Sequence, residues 1–571
     1  MSELAQYKRW CDRAVEDPDL QTELSAIESN EDAVYDRFYR DLEFGTGGLR
    51  GVLGAGSFRM NIYTVRRATQ GLADYVNEAF DNPAVAISFD SRIKSDLFAK
   101  NAARVLAANG ITVHLFSELA PTPLLSYAVR ALGCQAGIMV TASHNPAKYN
   151  GYKAYGPDGC QLTLEAAEAV LDRIESVDMF DGAKVSDFDK SLAQGTIRYI
   201  PQSLIEAYLG EVEKQAIHPG ICKDAGLKVV YTPLNGAGNV PVREILCRIG
   251  VKDVHVVPEQ ERPDGTFATC PFPNPEIPEA LELGLRMSRH LKADLLLATD
   301  PDSDRVGIAV PAGSDYALIS GNEVGALLLE YICRERTKLG TMPKRPLTVK
   351  TIVTTELVDA IAAEYGVDVV NTLTGFKFIG EQIGFLEEEG EEDRYIFGFE
   401  ESYGYLAGTY VRDKDAVVAS MLICEMAAFY RAQGIGLADA LDALYAKYGN
   451  FLHKQQSFTC EGASGMQRMQ EIMAGLRAQI PASIAGLAVR VFADYQASAQ
   501  KDLVTGAVSE LTLPKSDVLV YSLDGGASVI IRPSGTEPKI KVYYSTKAAT
   551  KADAEAQQKK LAEAFTALLG F

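Results

Sequence analysis

Four segments of the chain pair an apolar strand with a loop dense in reactive groups. The first is Thr141-Ala142-Ser143-His144-Asn145-Pro146, which follows the run Gly137-Ile138-Met139-Val140. That run reads as a buried strand, so Ser143 stands on a stiff loop at a strand end, where ligands bind in α/β proteins. The second, Ala293 to Thr299, delivers Asp300-Pro301-Asp302-Ser303-Asp304-Arg305. Carboxylates at i, i+2 and i+4 share one side of an extended strand about 6–7 Å apart, so this loop must curl to bring them round one ion. Three such charges repel, and a cation resolves the repulsion. All-oxygen ligation favours Mg²⁺ or Ca²⁺. An EF-hand is excluded, because Arg305 stands where that loop needs Gly and Pro311 where it needs a bidentate Glu. Three ligands leave positions open to a phosphoryl oxygen, as a catalytic metal requires. An aspartyl-nucleophile phosphatase is a rival reading of the same strand and loop.

The third segment runs from Arg394-Tyr395-Ile396-Phe397-Gly398-Phe399 into Glu400-Glu401-Ser402-Tyr403-Gly404, whose acceptor and donor groups suit sugar hydroxyls. The fourth runs from Ala527 to Ile531 into Arg532-Pro533-Ser534-Gly535-Thr536-Glu537-Pro538. It offers a guanidinium, two hydroxyls and a Gly that lets backbone N–H groups approach a phosphate. Asn150-Gly151-Tyr152-Lys153 follows the serine closely enough for Lys153 to return to the same site. A neighbouring metal and a second cation would lower the Lys153 pKa and fit it for proton transfer. His144, adjacent to Ser143 on an extended loop, is expected to point away from it. A Ser-His-Asp hydrolase is therefore disfavoured, and the G-x-S-x-G elbow is absent at Ser143.

The elements that must position these loops alternate. Helices are expected from Glu165 to Val177, capped by Thr163, from Ser203 to Ile217 and from Asn322 to Lys338. Apolar strands alternating with helices argue α/β layers. The tail differs: Val518 to Tyr521, the turn Asp524-Gly525-Gly526, and Val529 to Ile531 signal a hairpin. With Lys541-Val542-Tyr543-Tyr544 and a last helix from Ala552 to Leu569, it predicts a smaller α+β domain. The loops fall roughly 100–160 residues apart, close to one per domain. The expected domains are 1–200 with a lead-in helix and the serine loop, 201–318 with the carboxylate loop, 319–445 with the sugar loop, and 446–571 with the phosphate loop.

Composition narrows the class. The 571 residues are 47% hydrophobic and 23% charged, an ordinary globular balance. Lys+Arg 56 against Asp+Glu 76 gives a net charge of −20, which excludes the electrostatic footprint of a nucleic-acid or anionic-membrane binder. A phosphate site would have to be locally positive against that field. Nine scattered cysteines without a CxxC pair suit free thiols. With no apolar signal core at the amino terminus and no membrane-length apolar run, the protein is expected in the cytoplasm. A monomer or weak dimer is a separate expectation that rests on none of these features.

Together the four loops resemble, in order and spacing, the active-site loops of the α-D-phosphohexomutase superfamily. The resemblance extends to Phe44-Gly45-Thr46-Gly47-Gly48-Leu49-Arg50-Gly51 and Thr372-Leu373-Thr374-Gly375-Phe376-Lys377, and covers the chain from about Phe38 onward. It implies three similar α/β domains with mixed sheets and a smaller C-terminal α+β domain. It also implies that Ser143 carries a phosphoryl group, and that Mg²⁺ is bound by this phosphate on Ser143 together with Asp300, Asp302 and Asp304. Arg50 and Arg305 would flank the transferring phosphate, and His144 and Lys153 are the acid–base candidates. Glu400 and Ser402, with Thr374, Lys377 and Lys414, would hold the sugar. Arg532, Ser534, Gly535, Thr536 and Lys541 would hold the phosphate not being transferred. The GTGGLRG form and Val411-Arg412-Asp413-Lys414-Asp415 look most like the branch containing phosphoglucomutase-2, bacterial phosphoglucomutases and phosphopentomutases. Tyr403-Gly404 stands where many phosphomannomutase-type members have Gly-His, which turns the expectation from mannose towards glucose or pentose phosphates. The implied reaction interconverts glucose 1-phosphate and glucose 6-phosphate, with glucose 1,6-bisphosphate as activator and intermediate. A phosphopentomutase, a bisphosphate synthase or phosphatase, and a non-catalytic sugar-phosphate binder are the alternatives.

Overall fold

In the computed structural model, which describes residues 2–45, 47–460, 465–534 and 539–571, the serine loop leaves the middle of a six-stranded sheet. Its strands are β1 (Gly48–Val52), β2 (Ala84–Phe89), β3 (Thr112–Leu115), β4 (Ala136–Val140), β5 (Tyr149–Tyr155) and β6 (Ile197–Tyr199), in the order β1-β5-β4-β2-β3-β6. Strand β2 is parallel to β3 and β4, and β3 to β6, whereas β5 runs antiparallel to β1 and β4. Every residue of β4 is buried, as an apolar run in a sheet covered on both faces demands. Thr163 caps the helix Leu164–Ser176 by accepting from the Ala166 N–H, as the sequence predicts. The expected lead-in helix is three helices, Glu3–Arg13, Pro18–Ala26 and Glu31–Phe38. They are pinned by Trp10, fully buried with its ring edge-on to Phe38, Tyr63 and Phe180 at 6.0, 5.7 and 5.2 Å between centroids.

A second mixed sheet holds β7 (Lys228–Thr232), β8 (Asp253–Val256), β9 (Leu295–Thr299), β10 (Val306–Ala312) and β11 (Asp315–Ile319), in the order β11-β10-β9-β7-β8. Strand β7 is parallel to β8 and β9; β10 is antiparallel to β9 and β11. The carboxylate loop is therefore the turn of the β9–β10 hairpin.

The chain divides into two compact units, one of residues 1–321 and 376–437, the other of residues 322–375 and 438–571. In the second unit, β12 (Leu347–Thr351) and β13 (Asp368–Thr372) pair in parallel. In the first, β14 (Tyr395–Glu400) and β15 (Gly404–Leu406) form an antiparallel hairpin around the sugar loop.

The rest of the second unit is an antiparallel sheet of β16 (Asn450–Thr459), β17 (Ser483–Ile484), β18 (Leu487–Asp494), β19 (Ala499–Asp502), β20 (Val508–Glu510), β21 (Leu519–Leu523), β22 (Ser528–Pro533) and β23 (Lys539–Ala548). Its order is β16-β23-β22-β21-β18-β19-β20, with β17 on β18. The expected hairpin is β21–β22, and Gly525 and Gly526 turn it at φ 74° and 76°. The last helix, Lys551–Leu569, buries Leu561, Phe565 and Leu569 in a core shared with Tyr521, Val529 and Ile531. Among the described residues no helix is long and apolar enough to cross a membrane. All nine cysteines are free.

Candidate active site

Ser143 sits just past β4 with φ +51°, a left-handed conformation that costs a residue with a Cβ about 1–2 kcal/mol. Its N–H donates to Thr141 Oγ1 at 2.8 Å and its Oγ donates to Asp300 Oδ2 at 2.9 Å. Because the loop turns left-handed here rather than staying extended, His144 does not point away. Its Nδ1 lies 3.2 Å from Ser143 Oγ, which corrects the sequence expectation. Burial, reinforced by the charges of Arg305 and Arg50, holds the His144 pKa well below the usual imidazole value, so the ring is neutral at pH 7. No carboxylate orients it in the manner of a hydrolase triad among its described hydrogen bonds.

The Asp300, Asp302 and Asp304 side chains are buried, and one oxygen from each falls within 4.8 Å of the others. The curl comes from Asp300 Oδ1, which accepts the N–H groups of Asp304 and Arg305 at 3.1 and 3.0 Å, and from Ser303 at φ +52°. Asp302 Oδ2 accepts Lys153 Nζ at 2.8 Å and Thr122 Oγ1 at 3.1 Å. Asp304 Oδ2 faces Lys153 Nζ at 3.4 Å and Lys414 Nζ at 3.2 Å. The remaining oxygens, Asp302 Oδ1 and Asp304 Oδ1, are buried without a hydrogen-bond partner. Buried polar atoms are rarely left bare, and an oxygen-only set with two bare carboxylate oxygens fits a hard divalent cation.

The electrostatics agree with that fit. Burial, then the charges of Asp302 and Asp304, raise the Asp300 pKa well above the carboxylate range. Burial pushes Asp302 the same way, but Lys153 and Lys414 outweigh it and hold Asp302 low. Lys153 behaves oppositely to the expectation. Burial lowers its pKa, yet Asp302 and Asp304 more than compensate and raise it, so its ammonium stays charged as a counter-ion to the carboxylates.

In the first unit the charges of Arg305 and Lys414 act on this cluster, and those of Glu400 and Arg50 act on Arg305 and His144, respectively, beside it. Arg50, on β1, donates to Asn145 Oδ1 of the serine loop at 3.4 Å. Arg305 pairs with Glu276 at 2.5 Å. Burial opposes the Arg305 charge, but Glu276, Asp304, Asp300 and Glu400 raise its pKa. Glu400 is buried at the end of β14, and its charge also acts on Lys414, which contacts Asp413 at 3.2 Å. Tyr403, at φ +65°, turns the sugar loop, and its carbonyl accepts the Val306 N–H at 3.1 Å, so the loop is tied to the carboxylate hairpin. Ser402 is half-buried in that turn. Lys377 opens the helix Phe376–Glu388; burial lowers its pKa, while Cys160 and Glu381 act to raise it. In the second unit Arg532 faces Lys541 across β22 and β23, a like-charge pair that disfavours the bare sheet and suits an anion. The Arg532 guanidinium donates to Thr374 Oγ1, and the Ser534 N–H donates to the Lys539 carbonyl at 2.7 Å. Gly535 and Thr536 lie outside the described residues.

Sequence reading missed Glu276, Asp90 and Arg92, and placed Asp413 in the Val411-to-Asp415 motif without a role. Glu276 carried no signal beyond an acidic residue near Pro. Asp90-Ser91-Arg92 does follow the apolar strand Ala84–Phe89, the same strand-to-polar-loop design used to find the other four segments.

Comparison with solved structures places the fold. A Burkholderia thailandensis phosphoglucomutase/phosphomannomutase family protein superposes with a TM-score of 0.66 at 18% identity, covering 92% of this chain and 97% of that one. The open form of Paramecium pp63/parafusin, described as a phosphoglucomutase, gives 0.70 at 16% identity, covering 93% and 96%. The fold is thus shared with these two structures. Phosphoglucomutase/phosphomannomutase family models match in order: alpha/beta/alpha domain I at residues 41–180, domain II at 206–313, domain III at 320–448 and the C-terminal domain at 487–564. Proteins named phosphoglucomutase are 37% identical over 505 residues in Staphylococcus saprophyticus, covering 88% of this chain and 90% of that one, and 38% identical over 516 residues in Staphylococcus aureus RF122, covering 90% and 91%. The chain belongs to the phosphoglucomutase/phosphomannomutase family.

Proposed function

We propose that this protein interconverts α-D-glucose 1-phosphate and glucose 6-phosphate through a phosphorylated Ser143 and a bound glucose 1,6-bisphosphate. The observation that carries this reading is the 2.9 Å hydrogen bond from Ser143 Oγ to Asp300, inside the three-carboxylate cluster. The relatives named phosphoglucomutase favour glucose over pentose phosphates. The nine free cysteines suit work in a reducing cytoplasm.

Phosphoserine carries about −1.5 to −2 charge, and phosphoryl transfer depends chiefly on positioning and charge neutralisation. Mg²⁺ held by Asp300, Asp302 and Asp304 would supply much of that neutralisation. Arg50 and Arg305 flank the phosphate, and Lys153 and Lys414 keep the carboxylates paired. In the first transfer the P–Oγ bond of phospho-Ser143 breaks and a bond forms to a hydroxyl oxygen of the sugar monophosphate, which gives up its proton as Ser143 Oγ takes one up. In the second the bisphosphate has turned over and its other P–O bond to the sugar breaks. That phosphoryl passes to Ser143 Oγ, the freed sugar oxygen takes up a proton, and the Ser143 hydroxyl proton leaves. The neutral His144 Nδ1, 3.2 Å from Oγ, receives that proton and returns it in reverse. Glu400 and Ser402, with Lys377 and Lys414, accept two orientations of the ring. The family resemblance adds Thr374 for the sugar and Arg532, Ser534, Gly535, Thr536 and Lys541 for a phosphate.

Ser143→Ala tests the reading. It should abolish conversion of glucose 1-phosphate while leaving the far-UV spectrum intact, and retained turnover would remove Ser143 as the carrier. Comparing kcat/KM for glucose 1-phosphate and ribose 1-phosphate decides the sugar; a preference for ribose would overturn the glucose assignment.

A further inference from the structure

Three backbone carbonyls of the serine loop and one at the start of β5 converge on one side chain outside them. Arg92 donates from Nη1 to the carbonyls of Pro146 and Tyr149 at 3.0 and 3.1 Å, and from Nη2 to those of Ser143 and Asn145, each at 2.5 Å. Its Nε lies 3.3 Å from Asp90 Oδ2, and neither side chain has any solvent exposure. Asp90 Oδ2 also accepts Thr141 Oγ1 at 2.6 Å, and Thr141 Oγ1 accepts the Ser143 N–H. The buried pair therefore grips the loop on both sides of the nucleophile.

A third layer holds the grip. The excursion 262–276, between helices Pro258–Glu261 and Pro278–Leu291, lays the Phe267 ring over the Arg92 guanidinium at 5.1 Å. Gly265 of the same excursion packs so closely that a Cβ there would come within 2.5 Å of the Ile93 nitrogen. The excursion ends at Glu276, the partner of Arg305. One segment thus braces both the serine loop and an arginine of the site.

We infer that Arg92 is a positioning residue that imposes the left-handed backbone of Ser143 and so aims its Oγ at Asp300. Relaxing φ from +51° to an ordinary value would rotate the Ser143 side chain away from the carboxylates. It would also turn a buried carbonyl away from its donor. Only a guanidinium has donors enough, in a fixed fork, to satisfy four carbonyls while keeping its charge beside a carboxylate. Lysine would keep the charge opposite Asp90 and lose the fork. This inference rests on Ser143 as the phosphoryl carrier.

The test compares Arg92→Lys and Phe267→Leu with the unaltered enzyme. kcat and KM for glucose 1-phosphate are measured per folded molecule well below each melting temperature, with the phosphoserine ³¹P resonance of each phosphorylated protein. Since misplacing reacting groups by about 1 Å costs about 100-fold, Arg92→Lys should lower kcat by about 30-fold or more, leave KM within about threefold and move the resonance. Phe267→Leu should act in the same direction by about 3- to 10-fold, since it loosens the guanidinium without removing it. An unchanged kcat, or a matching rise in KM with an unmoved resonance, would overturn the inference. If Arg92→Lys fails to fold, Phe267→Leu decides by the same criteria. Failure of the parent reading looks different, because the unaltered enzyme would then show no phosphoserine at all.

Discussion

Replacing Asp302 with Asn probes the carboxylate cluster with almost no change in shape. Asp302 is fully buried; one oxygen receives Lys153 at 2.8 Å and Thr122 at 3.1 Å, and the other is bare. The amide keeps one oxygen but removes one charge from a set whose ligand atoms fall within 4.8 Å. A unit-charge pair about 4 Å apart is worth about 4 kcal/mol at an effective dielectric constant of about 20. The retained amide dipole and the relief of burying one charge offset part of this. The net loss is then about 2–4 kcal/mol of cation affinity, or about 30- to 1000-fold at 1.4 kcal/mol per tenfold. The assay is initial rate with glucose 1-phosphate and its bisphosphate across a Mg²⁺ titration. The account requires a half-saturating Mg²⁺ concentration raised by that factor. A titration superimposable on the unaltered enzyme's would remove Asp302 from the ligand set.

Three further outcomes are expected. His144→Gln should lower kcat by about 100-fold or more, the usual contribution of a positioned acid–base group, whereas an unaffected kcat would move the proton to Lys153. Trp10→Ala should cost about 3–5 kcal/mol in the first unit, seen as an earlier denaturant transition, because the ring is fully buried against three aromatic partners. The third concerns acid. Burial favours protonated Glu356, but hydrogen bonds from His453 and Ser545 hold its carboxyl at about 2 against an ordinary 4.5. A depressed carboxyl contributes stability that is fully present above about pH 4.5 and lost as pH falls through about 2. The side chain is 40% exposed, so screening limits the effect to about 1 kcal/mol. Melting curves at pH 5 and pH 3 should converge between the unaltered protein and Glu356→Gln at the lower pH; equal separation at both would show that Glu356 contributes nothing.

Much of this architecture is written locally. The apolar run ending at Val140, the Thr163 cap and the Gly525-Gly526 turn are decided by neighbours in sequence, so periodicity and turn chemistry locate them. The spacing of Asp300, Asp302 and Asp304 likewise announces a cation set, because like charges so close need an explanation. What stayed hidden depends on partners far along the chain. Lys153 was expected to lose its proton beside other cations, but two aspartates some 150 positions away hold the proton on. His144 was expected to turn from Ser143, but a left-handed φ at a non-glycine residue cannot be read from a hexapeptide. That conformation is held by Arg92, about 50 positions upstream, and by Phe267 beyond it.

The central claim is that Ser143 carries the phosphoryl group. Enzyme phosphorylated with ³²P, freed of bisphosphate and mixed with one equivalent of unlabelled glucose 1-phosphate and Mg²⁺, tests it in a single turnover. The account predicts that label leaves a peptide containing Ser143 and appears in glucose 1,6-bisphosphate and glucose 6-phosphate at the rate of turnover, and that Ser143→Ala takes up no label. Label that stays on the protein while glucose 6-phosphate forms would contradict it.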